Sequence, residues 1–389
     1  MLSVIPNLVL STVLAAGSLG AAAQEAPRAA RGEDHRGATP AQVLRGMTLE
    51  QRVGQLFMVG TPADEVDPTT RAQIGRYHVG NVMLTGRSYD GPRAPRRVVR
   101  AVRSEVSAAS TGKVGLFVAT DQEGGQVRVL QGPGFSDIPT ALVQGGWRQG
   151  RLHQAAEAWG EELRAVGVDM NLAPVLDTVP SRRAARHNPP IGQYDRQFGY
   201  TTRVVTRHGL AFLRGMADAG VVPVAKHFPG LGRVRANTDV ASGVTDRVTT
   251  RTDAYLRPFR AAVEDGVPVV MMSTAYYARI DPRHPAAFSR TIVSTMLRGD
   301  LGFAGVVISD DLARAEQVAS IRPAARAVRF LRAGGDLVLV VDPGPLPAMY
   351  DAVLARAERS RAFARKVDAA ALRILRAKDD QGLLPTVAP

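Results

Sequence analysis

The sequence predicts an α/β fold, a (β/α)8 TIM-like barrel built as a single domain. Three observations lead there. Eight short apolar runs recur along the 389-residue chain. Helix-like segments fill most of the intervals between them, the alternation that parallel βα units produce. Several runs begin at or just after a glycine (Gly80, Gly115, Gly167, Gly266 and Gly305), the residue that ends a helix before the next strand. Eight such units close into a barrel. A doubly wound open sheet is the alternative, weakened because no G-x-G-x-x-G follows the first run.

Taken in order, Thr48 and Gln51 stand at capping-box spacing and predict a short helix. The strand runs are Gln55–Val59, Asn81–Leu84, Val114–Ala119, Val168–Val175, Val222–Ala225, Val267–Met272, Val306–Ile308 and Leu337–Val341. The clearest helices are Arg97–Ala109, Gln154–Ala165, Thr202–Ala217, Asp253–Glu264, Thr291–Arg298 and Ala324–Arg332. Alanine-rich helical sequence continues to about Arg376. The barrel is assigned to residues 41–380 and a tail to 381–389. Ahead of it, residues 2–23 are apolar and end in Ala21-Ala22-Ala23, which fits a signal-peptidase site. No Lys or Arg precedes Arg28, so residues 1–23 are read as a signal peptide or an uncleaved anchor. Residues 24–40 are polar and rich in Pro, Gly and Ala, and are read as a flexible linker. The expected location is secreted or associated with the cell envelope.

Composition narrows the chemistry. There is no cysteine, which excludes disulfides, thiolate metal sites and a cysteine nucleophile. The seven histidines never fall at a paired metal spacing such as H-x-x-x-H, so neither metal nor other cofactor is expected. Lys and Arg total 49 against 36 Asp and Glu, a formal charge of +13. That charge suits an anionic cell wall. Arginine is spread along the chain and aromatics are 5%, so nucleic acid is not an expected partner.

The most informative stretch is 222–246. An apolar strand stops at Lys226-His227-Phe228-Pro229-Gly230, and a long polar loop without helical periodicity follows. The C-terminal ends of barrel strands are where an enzyme of this architecture keeps its reacting groups. Those ends carry Asp121 with Gln122-Glu123-Gly124-Gly125, Asn171 to Asp177, Lys226-His227, Ser273 to Tyr277, and Ser309-Asp310-Asp311. Acidic side chains at buried strand ends are costly unless they act on something.

These residues resemble glycoside hydrolase family 3, in its bacterial β-N-acetylglucosaminidase branch. The likeness runs from about Leu44 to Ala377 and rests on TLEQRVGQLFMVG, TDQEGGQV, NLAPVLD, KHFPGLG and GFAGVVISDDL in that order. The resemblance implies a metal-free (β/α)8 enzyme acting through a covalent glycosyl-enzyme. It implies Asp310 as nucleophile, with Asp311 the alternative. It implies Asp121, Arg196, Lys226 and His227 as sugar-binding residues.

Two departures from the branch stand out. Its second arginine falls at Val129 here, beside Arg128. Its Asp-Ser-His acid/base motif is replaced by Asn237-Thr238-Asp239, and Leu231 replaces a second histidine. Asp239 stands at the histidine's place and is the candidate acid/base. Asp246 is a second candidate, and absence of any efficient acid a third reading. Gly232 and Gly243 are expected to let the loop swing.

The expected function is an exported retaining exo-glycosidase, a β-N-acetylhexosaminidase. It would release terminal β-linked N-acetylglucosamine, from peptidoglycan fragments. The alternatives are a β-glucosidase, a phosphorolytic variant, or a catalytically weakened wall-binding protein on the same barrel. The partner is an N-acetylglucosamine-containing glycan and the expected state a monomer.

Overall fold

A computed structural model describes residues 37–386. Residues 1–36 lie outside the described residues, and with them the leader and most of the linker. Gly37 pairs with Thr386, and Thr39 caps a helix beginning at Pro40. Thr48 and Gln51 form the capping box read from the sequence, at the head of helix Leu49–Gly54.

Eight parallel strands make the barrel. They are β1 (Phe57–Pro62), β2 (Asn81–Thr85), β3 (Phe117–Thr120), β4 (Met170–Asn171), β5 (Val222–Phe228), β6 (Val269–Met272), β7 (Val306–Ser309) and β8 (Val338–Val340). The hydrogen-bonded order is β7-β6-β5-β4-β3-β2-β1-β8. An Ile308–Leu337 bridge closes the ring from β7 to β8, helped by Ser309 N–H donating to the Leu337 carbonyl at 3.0 Å. Registers include Met58 opposite Asn81, Met83 opposite Ala119, Thr120 opposite Asn171, and Val307 opposite Val270. Nearly every strand residue is buried, because helices cover one face and packed side chains fill the other. This is why the strands read as continuous apolar runs rather than as alternations. Among the described residues, no helix is long and apolar enough to cross a membrane.

Several elements differ from the sequence reading, three of them for reasons visible in the chain. The stretch read as one helix over Arg97–Ala109 is Arg93–Arg103 followed by Ala108–Thr111, split where Ser107 and Ser110 form their own capping box. The run Val168–Val175 is a continuous strand only over Met170–Asn171, with an isolated bridge from Val175 to Lys226 beyond Pro174, which supplies no N–H to the ladder. Conversely, β5 runs past Ala225 to Phe228, so Lys226 and His227 lie inside the strand. Their burial is tolerated because each has an anionic partner, described below.

The N-terminal mouth of the barrel is closed by the helix Arg361–Asp379. Its Lys378 is fully buried and donates to Gln55 Oε1, the Gly80 carbonyl and the Gly115 carbonyl at 2.7, 2.7 and 2.8 Å. Burial pushes its pKa down to about 7, although three oxygen acceptors match the three N–H bonds of an ammonium group. A charged group at this end serves the fold, because the loops that carry chemistry lie at the other end.

Candidate active site

At the C-terminal ends of the strands lies a cavity of about 340 Å³. Asp121, Arg196, Lys226, His227, Asp239 and Asp310 all line it. Six residues from five separate stretches of sequence are thus brought to one place.

The cavity's charges are mostly paired. Lys226 Nζ lies 2.7 Å from Asp121 Oδ1 and 2.6 Å from Glu123 Oε1. Arg196 grips Glu123 in a fork, Nε to Oε2 at 2.8 Å and Nη2 to Oε1 at 2.7 Å, and its Nη1 donates to the Pro190 carbonyl at 2.7 Å. Glu123 is therefore the anion that holds both cations. Burial alone would raise its pKa, but Arg196 and Lys226 reverse that and hold it at about 2. Burial works against the charge on Lys226, yet Asp121 and Glu123 leave its pKa above the ordinary lysine value. Arg196 is raised in the same way by Glu123 against the cost of burial. Two hydrogen-bond sites of Arg196, one of Lys226 and the second oxygen of Asp121 remain open to a ligand.

His227 is oriented from behind. Its Nδ1 lies 2.7 Å from Asp177 Oδ2, and its backbone N–H donates to Asp177 Oδ1 at 3.2 Å. Leu231 N–H donates to the same oxygen at 2.8 Å. Asp177 is fully buried, so Nδ1–H points away from the cavity and Nε2 toward it. Leu231 itself is buried in the cavity wall, where it contributes only apolar surface.

The two aspartates that end β7 are not equivalent. Asp311 is saturated by backbone donors: Ala313 and Val341 N–H to Oδ1 at 2.9 and 3.0 Å, and Arg314 N–H to Oδ2 at 2.9 Å. It ties the β7 turn to the end of β8. Asp310, half-buried in the cavity lining, accepts only the Asp311 N–H, at 2.9 Å, and has no ion pair among the described residues. Desolvation raises its pKa to about 6, with His227 opposing and Asp239 reinforcing the shift.

Asp239 is exposed at the rim of the same cavity. Its loop is latched from the β7 side. Gln317 and Glu316 N–H donate to the Thr238 and Asp239 carbonyls at 3.0 and 3.1 Å. The buried Gln317 amide also brackets Val244, accepting its N–H at 2.9 Å and donating to its carbonyl at 3.2 Å. Residues Thr245–Asp246 pair in parallel with Tyr276–Tyr277. Gly232 is not a hinge but a close approach, since a Cβ there would lie 2.0 Å from the Thr178 carbonyl oxygen. Gly243 alone has the open, positive-φ geometry of a pivot, at φ +67°. The loop is thus held rather than free to swing.

Asp246 does not join the cavity. It is fully buried, accepting from Val248 and Thr249 N–H at 2.7 and 2.8 Å and from Thr249 Oγ1 at 2.6 Å. Nor does Arg128 replace the branch's second arginine: it pairs with Asp137 at 2.6 Å and does not line the cavity, while Val129 is buried in the core. Among the described residues, no group of three or more His, Asp or Glu could hold a metal ion. Sequence reasoning missed the supporting roles of Glu123, Asp177 and Gln317. The first two stand in motifs already noted, DQEGG and NLAPVLD, whereas nothing local marks Gln317.

A family model described as the glycosyl hydrolase family 3 N-terminal domain matches residues 48–377. The β-hexosaminidase of Stenotrophomonas maltophilia (strain K279a) is 32% identical over 316 residues, covering 79% of this chain and 90% of that protein. The β-hexosaminidase of Nitrosomonas eutropha (strain DSM 101675 / C91 / Nm57) is 33% identical over 295 residues, 73% of this chain and 79% of that protein. The crystal structure of β-N-acetylhexosaminidase from Beutenbergia cavernae DSM 12333 superposes with a TM-score of 0.84 at 53% identity, covering 86% of this chain and 99% of that one.

Proposed function

The chain belongs to glycosyl hydrolase family 3, and on that premise we propose that it is a retaining exo-glycosidase hydrolysing terminal β-linked N-acetylglucosamine. The observation that carries this reading is Asp310. It is a half-buried carboxylate in the cavity lining with no ion pair among the described residues, so its charge is available to an anomeric carbon. The names of the similar β-hexosaminidases supply the sugar.

The steps follow from the residues. The open donors of Arg196 and Lys226, the second oxygen of Asp121 and His227 Nε2 hold the sugar hydroxyls. Asp310 attacks the anomeric carbon while Asp239 protonates the departing oxygen, so the C–O bond breaks and the aglycone leaves neutral. Water then enters, gives a proton to Asp239 and displaces Asp310 with overall retention. Export to the envelope and a peptidoglycan source are part of the proposal, supported by the apolar residues 2–23 and the charge of +13.

The test is turnover of a chromogenic β-N-acetylglucosaminide beside the matching β-glucoside, with the product anomer read by NMR. Preferential cleavage of the N-acetylated substrate with a β-anomeric first product is expected. Equal or better cleavage of the glucoside refutes the sugar assignment, and an α-anomeric product refutes the double displacement. Release of a sugar phosphate in phosphate buffer reports the phosphorolytic alternative.

A further inference from the structure

The outer, helical layer of the barrel carries a groove of about 810 Å³ that shares no lining residue with the catalytic cavity. Its walls come from the loop after β6, the start of helix Thr291–Asp300, and the helices Pro323–Ala333 and Arg361–Asp379. Arg283, Arg290, Arg329, Arg332 and Lys366 line it. All five are exposed, and none of their side chains makes a hydrogen bond or ion pair among the described residues. The one carboxylate in the lining, Asp281, is already committed. It lies 3.0 Å from His284 Nδ1 and accepts from Ser289 Oγ at 2.7 Å and from the Arg283 N–H at 3.1 Å.

Other exposed arginines, such as Arg214, Arg251 and Arg314, are paired with carboxylates. Five unpaired cations on one concave surface repel one another and set up a positive field that an anion relieves. The helix Thr291–Asp300 starts in the same groove, with Arg290 and Thr291 in the wall, and adds the positive end of its dipole.

We infer that this groove binds a linear phosphodiester polymer, which holds the enzyme on an anionic surface while leaving the catalytic cavity free. The inference is independent of the reaction at that cavity. A chain suits the groove better than a single ion, since the cations stand on three separate elements and all are open to water. It suits the groove better than a lipid surface, because the site is concave and a bilayer is flat. Four of the five cations are arginines, whose planar fork takes two oxygens of one phosphate. Nucleic acid is disfavoured because its bases find no platform: the aromatic ring in the lining, Phe288, is buried.

The test is calorimetry of the full chain with a synthetic glycerol phosphate decamer, an oligogalacturonate of equal length, and vesicles of phosphatidylglycerol and phosphatidylcholine. Affinity for the decamer should fall with salt along a log–log slope of roughly −0.7 per phosphate engaged, near −3.5 for five contacts. Arg329→Ala/Arg332→Ala/Lys366→Ala should bind it about 3- to 150-fold more weakly, the range three exposed ion pairs supply, with the slope reduced to about −1.4. Arg100→Ala/Arg203→Ala/Arg207→Ala removes the same charge from exposed side chains that do not line the groove, and should leave affinity and slope close to wild type. Both triple variants should keep the wild-type Tm and turnover of a neutral aryl glycoside, which shows that they fold. Failure of the decamer to bind in low salt overturns the inference. Equal losses in the two triple variants also overturn it, because they assign binding to net charge rather than to the groove. Tighter binding of the oligogalacturonate or of the vesicles overturns the phosphodiester assignment.

Discussion

Replacing Asp310 with asparagine should abolish turnover and stabilise the protein, and the second effect can be worked out from the site. The ordinary carboxylate value of 3.8 is raised to about 6 in the fold, chiefly by desolvation. Between those two values the folded state holds a proton that the unfolded state has released. Stability therefore falls as pH rises through that window, and above about 6 the full cost of the buried charge is present. A shift of roughly two units corresponds to at most about 3 kcal/mol, reduced by whatever water fills the cavity. Asparagine keeps the shape and removes the charge. With an unfolding entropy of about 2.1 cal/mol/K per residue over roughly 350 residues, the gain is up to about 4 °C in Tm at pH 7. At pH 4 the folded group is protonated in the wild type as well, so the gain should shrink below about 1 kcal/mol. Urea unfolding of both proteins at pH 4 and pH 7 measures this, alongside hydrolysis of an aryl glycoside. Activity should drop by several orders of magnitude. An asparagine variant no more stable than wild type at pH 7, or stabilised equally at both pH values, refutes the electrostatic reading of the site. Activity within about tenfold of wild type refutes the nucleophile.

Further outcomes follow from the same geometry. Asp239→Ala should lose about 10²–10⁴-fold on a disaccharide and far less in glycosylation by an activated aryl glycoside, with azide rescuing deglycosylation; equal losses on both substrates would remove Asp239 as the acid. Because Asp239 helps raise the Asp310 pKa, that variant should also move the acidic limb of kcat/KM to lower pH than in the wild type. Asp246→Ala should show no dependence on the leaving group but lose about 1–3 kcal/mol in urea unfolding, because three donors to a buried carboxylate are orphaned. Gln317→Ala, which frees both Val244 bonds, should lower kcat on a disaccharide by up to about 10²-fold while aryl glycoside turnover changes little; equal effects on both would make the residue merely structural.

The barrel was legible because its strands are buried on both faces and several units end in a recognisable turn glycine. All eight apolar runs became barrel strands. The boundaries that slipped did so for tertiary reasons. Lys226 and His227 look like the end of a strand because charged side chains are costly in a core. They continue β5 because Asp121 and Glu123, more than a hundred residues earlier in the sequence, and Asp177 meet them there. The latch on the Asp239 loop was invisible for the same reason. Gly232 and Gly243 read alike in sequence, but one packs against a carbonyl and the other faces open space.

The site itself divides along a similar line. Asp121, Lys226, His227 and Asp310 fall in motifs at strand ends, where a charged group stands out against an apolar run, whereas Arg196 and Asp239 stand in loops. Residues that decide what those groups do are partners, and partners are set by the fold. Glu123 reads as one more acid in DQEGG until Arg196 and Lys226 converge on it. Asp310 and Asp311 are neighbours of identical chemistry, and in the sequence only the family resemblance puts Asp310 first. Three backbone N–H groups consume Asp311 in joining β7 to β8. Asp177 consumes the inner nitrogen of His227, and Asp121 and Glu123 neutralise the nearest lysine. What remains is Asp310, a half-buried carboxylate in the cavity lining with no ion pair among the described residues. That is the arrangement in which a carboxylate keeps both its charge and its reactivity toward an electrophilic carbon.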